Sequence, residues 1–359
     1  MKPFSIRNHP MIRLSGRFDP AQEGFPMLWS ASSAEMNVRG ASLDVQISCA
    51  YHTHKPYLSF EVDGLRAQTF SPLPGKHWYS VFLNLNPDTV RRVRIIKESQ
   101  AFENDPSAGC VLLKGRTGGV LEPLPPRRRK IEFIGDSLTS GEGGRGSQSF
   151  MEWVPMCFSA SDNYTRFTAD RLNAQYQLVS QSGWGVHCGW NNDPHCSLPR
   201  IYDRLCGPQA GETPEENWGS GKPYDFSFQP DDVVIALGAN DRGALQQPPF
   251  TDLSTGCVYK LHDTPEDLSL FENEALAFLR HLHQKNPGAR LTWFSYYQDN
   301  SIVQATRRAV ERAAAEGLPV QFGSADGEHF PPSWQGSRNH PGVRAEQRMA
   351  RELVRLLKK

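Results

Sequence analysis

Neither sign of charge prevails in this 359-residue chain, where 39 lysines and arginines balance 39 aspartates and glutamates. Nothing steers the whole molecule toward nucleic acid or an anionic membrane, and neither is expected as a partner. Long apolar runs are also missing, since no window approaches the roughly 18 apolar residues that mark a membrane helix. The opening stretch from Met1 to Pro10 lacks the apolar centre of a secretory leader, so cytoplasmic residence is the expectation. Cysteine is sparse. Cys49, Cys110, Cys157, Cys188, Cys196, Cys206 and Cys257 are odd in number, scattered and without a CxxC pair, which suits reduced thiols rather than a disulfide framework. His187-Cys188 and His195-Cys196 offer two nitrogens and two sulfurs, but at a spacing that fits no zinc pattern. No metal and no other cofactor is expected. Internal repeats and low-complexity tracts are absent.

Residues 1 to about 122 read as all-β. Leu43, Val45 and Ile47 alternate with polar residues, as do Leu58, Phe60 and Val62, then Val81, Leu83 and Leu85, then Val93 and Ile95. Asp63-Gly64, Pro72-Leu73-Pro74-Gly75, Asn86-Pro87-Asp88 and Thr117-Gly118-Gly119 supply turns between them. Short strands at this spacing predict a β-sandwich of the jelly-roll kind. The proline-rich 121–126 connector marks a boundary, giving domains 1–126 and 127–359. The run Arg127-Arg128-Arg129-Lys130 reads as a linker meeting a strand rather than as a phosphate-binding patch.

Beyond Lys130 the period changes. Ile131, Phe133 and Ile134 make a short buried strand. Helices are predicted over 161–172, 266–285, 301–317 and 342–357, and further strands at 176–179, 233–237, 291–294 and 318–322. Strands alternating with helices imply a three-layer α/β/α domain on a parallel sheet, whose sites form at the carboxyl ends of the strands.

Three of those strand ends carry polar signatures: Gly135-Asp136-Ser137, Ser182-Gly183 and Gly238-Ala239-Asn240-Asp241. A fourth, Asn339-His340-Pro341, precedes the last helix. Singly, each reads as an ordinary turn or cap. Together they supply an acyl-transfer site: Ser137 as nucleophile, His340 as the base that takes and returns its proton. The N–H groups of Ser137 and Gly183 and the Asn240 amide can surround an oxyanion. Trp184, Trp190, Trp218 and Trp334 occupy nearby loops, and indole faces stack on sugar rings. Trp184 is the preferred platform because it lies inside the second signature. Tyr297 and Trp334 are further substrate-side candidates. Asp136 is placed there too, although capping the turn is its preferred role. Asp241 is read as structural.

At these residues the chain resembles the SGNH (GDSL-type) hydrolases, with Ser137, Gly183, Asn240 and His340 matching the four block residues in order. The stretches 130–137, 182–186 and Leu198-Pro199-Arg200-Ile201-Tyr202, following a jelly roll, are similar to carbohydrate esterase family 2. That resemblance implies a carboxylic ester hydrolase that removes O-acetyl groups from poly- and oligosaccharides such as xylan, mannan and glucomannan. It departs at one point. General SGNH enzymes carry Asp-x-x-His, and Ser337 stands where the aspartate would be. The resemblance then implies a Ser-His dyad whose imidazole is held by a backbone carbonyl. A literal Asp-x-x-His exists at Asp326-Gly327-Glu328-His329, but His340-Pro341 leads into the last helix and is preferred. Other SGNH activities (lipase, thioesterase, peptidoglycan O-acetyl esterase) and a non-catalytic carbohydrate-binding protein are the alternatives. The oligomeric state is left open.

Overall fold

The computed structural model describes residues 2–105, 107–208 and 221–358. The chain divides into two compact units. The first is Met1–Arg127 with Glu152–Ser161 and Asp203–Tyr224; the second is Arg128–Met151, Asp162–Tyr202 and Asp225–Lys359. Trp218 lies outside the described residues. Domains of 1–126 and 127–359 therefore miss two excursions that group with the first unit. Their anchors are irregular loops with no periodicity to read. Trp153 packs edge-on against His54 and Phe102, and Trp29 Nε1 donates to the Leu205 carbonyl at 2.7 Å.

The first unit is an antiparallel β-sandwich. One sheet runs in the order β1 (Lys2–Ser5), β10 (Gly109–Thr117), β5 (Leu43–Ala50), β8 (Gly75–Phe82), with β3 (Phe25–Pro26) on β10. The other runs β11 (Val120–Glu122), β4 (Ser33–Arg39), β9 (Val90–Lys97), β6 (Leu58–Val62), β7 (Leu65–Phe70), with β2 (Ile12–Ser15) on β4. Alternation works as the strand period demands. Leu43, Val45, Ile47, Phe60, Val93 and Ile95 are fully buried between the sheets. Asp63-Gly64 closes the β6–β7 hairpin, both residues at positive φ (54° and 82°), the conformation a two-residue turn requires. The expected Val81/Leu83/Leu85 face is not formed. The register slips where β8 meets Leu43 and Asp44. This bulge buries consecutive Val81 and Phe82 and leaves Leu83 60% and Leu85 37% exposed.

The second unit holds a five-stranded parallel sheet in the order β13 (Ala174–Ser180), β12 (Arg129–Gly135), β14 (Asp232–Ala236), β17 (Arg290–Ser295), β18 (Val320–Ser324). Its helices are α1 (Ser137–Ser140), α2 (Tyr164–Arg171), α3 (Ala239–Ala244), α4 (Pro265–Lys285), α5 (Ser301–Ala315) and α6 (Val343–Leu357). Elsewhere β15 (Phe250–Thr251) pairs with β16 (Val258–Tyr259). The chain steps from β12 to β13 on one side, then returns to β14 on the other. Ligand sites of open α/β sheets form at such a reversal. The register sets Gly135 level with both Ser180 and Ala236, so the loops after β12, β13 and β14 leave the sheet at one edge. The basic run at the unit boundary is used structurally. Arg127 pairs with Glu35 at 3.1 Å, and Arg129 pairs with Asp232, which is fully buried.

Candidate active site

Gly135 ends β12 because nothing larger fits: a Cβ there would stand 2.0 Å from Thr139 Oγ1. The chain can therefore turn sharply, and Asp136 caps α1 by accepting from the Leu138 N–H at 3.0 Å. Ser137 is the first residue of that helix, where a backbone N–H has no intrahelical acceptor. Asp136 itself is 1% exposed. Burial pushes its carboxyl up to about 7, the charges of Asp241 and Glu142 adding to the effect. Its Oδ2 has no hydrogen-bond partner among the described residues, and the residue lines a small pocket with Leu138, Gly238, Ala239, Tyr297 and Asn300. Asp136 is thus buried beneath the nucleophile, away from any open surface, as its capping role requires.

His340 meets Ser137 across 203 positions of sequence, Nε2 to Oγ at 2.8 Å. The loop that carries it is pinched shut: the Gly336 N–H donates to the His340 carbonyl at 2.8 Å, and the Gly342 N–H to the Trp334 carbonyl at 2.8 Å. His340 Nδ1 lies 2.9 Å from the Arg338 carbonyl. An acceptor there requires the proton on Nδ1 and leaves Nε2 free to accept from Ser137. Ser337 does not touch the ring; its hydroxyl donates to the Arg145 carbonyl at 3.0 Å. Aiming the Arg338 carbonyl inward needs left-handed backbone at Arg338 and Asn339, φ 55° and 57°. Two glycines let this loop reach the nucleophile's loop. A Cβ on Gly143 would stand 2.5 Å from His340 Cβ, and one on Gly336 1.9 Å from the Gly143 carbonyl oxygen. His329 turns elsewhere: its ring pairs with Asp326 at 2.5 Å, 67% exposed.

The other two signatures are fastened to each other. Asn240 Nδ2 donates to the Trp184 carbonyl at 2.8 Å, which orients the amide and leaves its second hydrogen available. Asp241, fully buried, accepts from the Val186 N–H at 2.9 Å, the His187 N–H at 2.8 Å and the Cys188 N–H at 3.3 Å. Burial raises this carboxyl, and the three N–H groups oppose the rise. Gly185 gives the carboxylate room, since a Cβ there would be 2.4 Å from Asp241 Oδ2. Gly183 takes φ 80°. Together with the Ser137 N–H and the Asn240 amide, this arrangement can stabilise an oxyanion.

Trp184 is not the open platform expected from its place in the signature. The residue is only 6% exposed, its side chain packed in the core while its carbonyl accepts from Asn240. Trp190, 51% exposed, lies beside Gly183 instead: its backbone N–H donates to the Gly183 carbonyl at 2.9 Å, and a Cβ on Gly183 would stand 3.0 Å from its ring. Tyr297 is half-buried at the pocket, with the Arg242 guanidinium 4.3 Å from its ring centroid. Trp334 is half-buried on the His340 loop against Phe330. In the two His-Cys pairs, His187 binds Glu274 at 2.8 Å and His195 faces Asp252 at 3.5 Å.

Residues 14–112 match the family described as carbohydrate esterase 2 N-terminal. The solved structure of Est2A, an acetyl xylan esterase from the rumen bacterium Butyrivibrio proteoclasticus, is 32% identical, with a TM-score of 0.93 over 100% of this chain and 98% of that one. The chain belongs to carbohydrate esterase family 2. Among curated relatives of this family 2 chain, the cellulase/esterase CelE of Acetivibrio thermocellus is 31% identical over 244 residues, 65% of this chain and 27% of CelE. An acetylxylan esterase/glucomannan deacetylase of Cellvibrio japonicus is 32% identical over 154 residues, 42% of this chain and 39% of that protein. The chain thus spans well under half the length of both.

Sequence reasoning about this family 2 chain passed over Glu142, a 2% exposed carboxylate five residues past Ser137. Its only signal was a charge set between Gly141 and Gly143, the kind of small-residue loop that permits close approach of another segment.

Proposed function

We propose that this chain is a metal-independent carbohydrate O-acetyl esterase acting on acetylated xylan-, mannan- or glucomannan-type poly- and oligosaccharides. The 2.8 Å contact of Ser137 with His340, whose other nitrogen is held by a backbone carbonyl, carries the reading. The Ser137 Oγ attacks the acetyl carbonyl carbon while its proton passes to His340 Nε2. The carbonyl oxygen becomes an oxyanion facing the N–H groups of Ser137 and Gly183 and the Asn240 amide. Collapse breaks the bond to the sugar oxygen, which takes the proton from His340. Water then attacks the acetyl-serine, His340 removes its proton, and acetate leaves as Ser137 is reprotonated. Trp190 offers an exposed indole face for a sugar ring beside the oxyanion site, with Tyr297 and Trp334 as further substrate-side groups. The names of relatives, acetyl xylan esterase and glucomannan deacetylase, support the substrate class. Cytoplasmic residence belongs to the same proposal and is checked by cell fractionation.

The test is acetate release from acetylated xylan, mannan and glucomannan oligosaccharides, with 4-nitrophenyl acetate as the simple ester. Turnover that Ser137→Ala abolishes is expected. Turnover that survives Ser137→Ala, or His340→Ala, removes the dyad. A preference for long-chain esters over acetate would move the chain to a lipase-type activity.

A further inference from the structure

The loop that carries the nucleophile also carries a charge for which the dyad has no stated use. Glu142 Oε2 lies 4.0 Å from His340 Nε2. Its Oε1 lies 2.9 Å from Arg338 Nε, an ion pair outside hydrogen-bond angles. Arg338 is the residue whose carbonyl faces His340 Nδ1, and it does so from a left-handed backbone. Glu142 therefore stands at ion-pair distance from the imidazole, on its Nε2 side, and pairs with the side chain of the residue that orients the ring. The Ser337 N–H donates to the carbonyl of neighbouring Gly143 at 3.2 Å, so the two loops are also joined through their backbones. A buried carboxylate is costly unless compensated, and the Arg338 guanidinium at the edge of the site contributes compensation here.

We propose that Glu142 is the positioning residue for His340, a carboxylate supplied by the nucleophile's own loop in place of the acid missing at Ser337. This rests on the esterase reading of Ser137 and His340. In the resting enzyme Glu142 and Arg338 balance, and the Arg338 side chain is held so that its carbonyl points at Nδ1. When the Ser137 proton reaches Nε2, the new imidazolium lies beside an existing negative charge. Attraction over that distance in a poorly solvated site is large compared with its value in water. The remaining charged groups on the elements around His340 are Asp136 and Arg145 on the nucleophile's loop, and Arg344 and Glu346 in the first turn of α6. Glu346 is engaged by the Tyr164 N–H at 2.8 Å.

The experiment is the pH dependence of kcat and kcat/KM on 4-nitrophenyl acetate for the full chain, Ser137→Ala, Glu142→Gln and Arg338→Gln, followed at the isosbestic wavelength of 4-nitrophenol. Glu142→Gln keeps the shape and removes the charge. It is expected to lower kcat by about tenfold or more with KM little changed, and to move the acid limb of kcat/KM to lower pH. Arg338→Gln is expected to move that limb the other way, to higher pH. A Glu142→Gln profile that superimposes on the wild type overturns the proposal, and so does a lower rate with an unmoved limb, which marks a merely structural role. Should Glu142→Gln fail to fold, the Arg338→Gln limb decides alone: movement to higher pH supports the proposal and an unmoved limb overturns it. Lack of Ser137-dependent turnover in the wild type overturns the esterase reading itself, whereas Ser137-dependent turnover with unmoved limbs overturns only the role of Glu142.

Discussion

Gly143→Ala adds one methyl group to a residue that takes no part in the chemistry, and it is expected to disable the enzyme. The added Cβ would lie 2.5 Å from both His340 Cβ and the Ser337 carbonyl oxygen. Ordinary carbon contacts begin near 3.5 Å, so one of the two loops must withdraw by about 1 Å. The His340 loop has little freedom to absorb this elsewhere, being closed by the Gly336 to His340 and Gly342 to Trp334 hydrogen bonds. The displacement falls on the 2.8 Å contact between His340 and Ser137. A misplacement of that size in a catalytic group costs on the order of 100-fold in rate. Separately, alanine at φ 75° costs about 1–2 kcal/mol of stability. The assay is steady-state hydrolysis of 4-nitrophenyl acetate beside thermal unfolding, at a temperature well below the variant's Tm. The expectation is a fall of about 100-fold in kcat with a modest fall in Tm. A folded variant with kcat within about threefold of wild type, roughly 0.7 kcal/mol in barrier, refutes the argument that Gly143 sets the reach of His340.

Asn240→Ala removes one oxyanion donor and is expected to lower kcat by about 10²–10³ with KM little changed; an effect confined to KM would mean the amide binds substrate only in the ground state. Trp190→Ala is expected to raise KM for acetylated oligosaccharides roughly three- to tenfold, the size of an aromatic stacking contribution, while ethyl acetate hydrolysis stays unchanged; equal losses on both esters would assign the ring to loop structure. Asp136→Asn keeps the Oδ1 cap on Leu138 and removes a buried charge. Because the folded carboxyl sits at about 7 against an ordinary 3.8, the contribution of Asp136 to stability is greatest below pH 3.8 and declines as pH rises toward 7, by up to about 4 kcal/mol. The variant should therefore unfold at higher temperature than wild type at pH 8 and converge with it near pH 4, as calorimetry at the two pH values reads directly; parallel pH curves would refute it.

What could be read in advance follows from how each feature is encoded. β14 is a continuous buried apolar run after Asp232, β12 sets Ile131, Phe133 and Ile134 around a buried Glu132, and α4 and α6 repeat their apolar residues every three to four positions, so their type is written locally. The residues at their ends inherit a location from the sheet: once β12, β13 and β14 lie side by side, Ser137, Gly183 and Asn240 must leave by one edge. Three other features depend on partners remote in sequence. The β8 bulge arises where the strand meets Leu43. The Trp184 carbonyl is taken by Asn240, 56 positions away. Glu142 gains meaning only from Arg338 and His340. The spacing rule for the catalytic acid was the least reliable guide. The literal match, Asp326 with His329, forms an exposed pair, whereas the histidine that reaches Ser137 has a serine at the matching position. A better signal was present in the same segment. Close approach of two loops requires small residues on both: Gly143 on one side and Gly336 on the other stand where the loops of Ser137 and His340 meet, whereas Gly327, two residues before His329, packs against Tyr296. What each glycine packs against, rather than acid spacing, distinguishes the histidine that enters this site. It also points to the loop from which a replacement carboxylate would come.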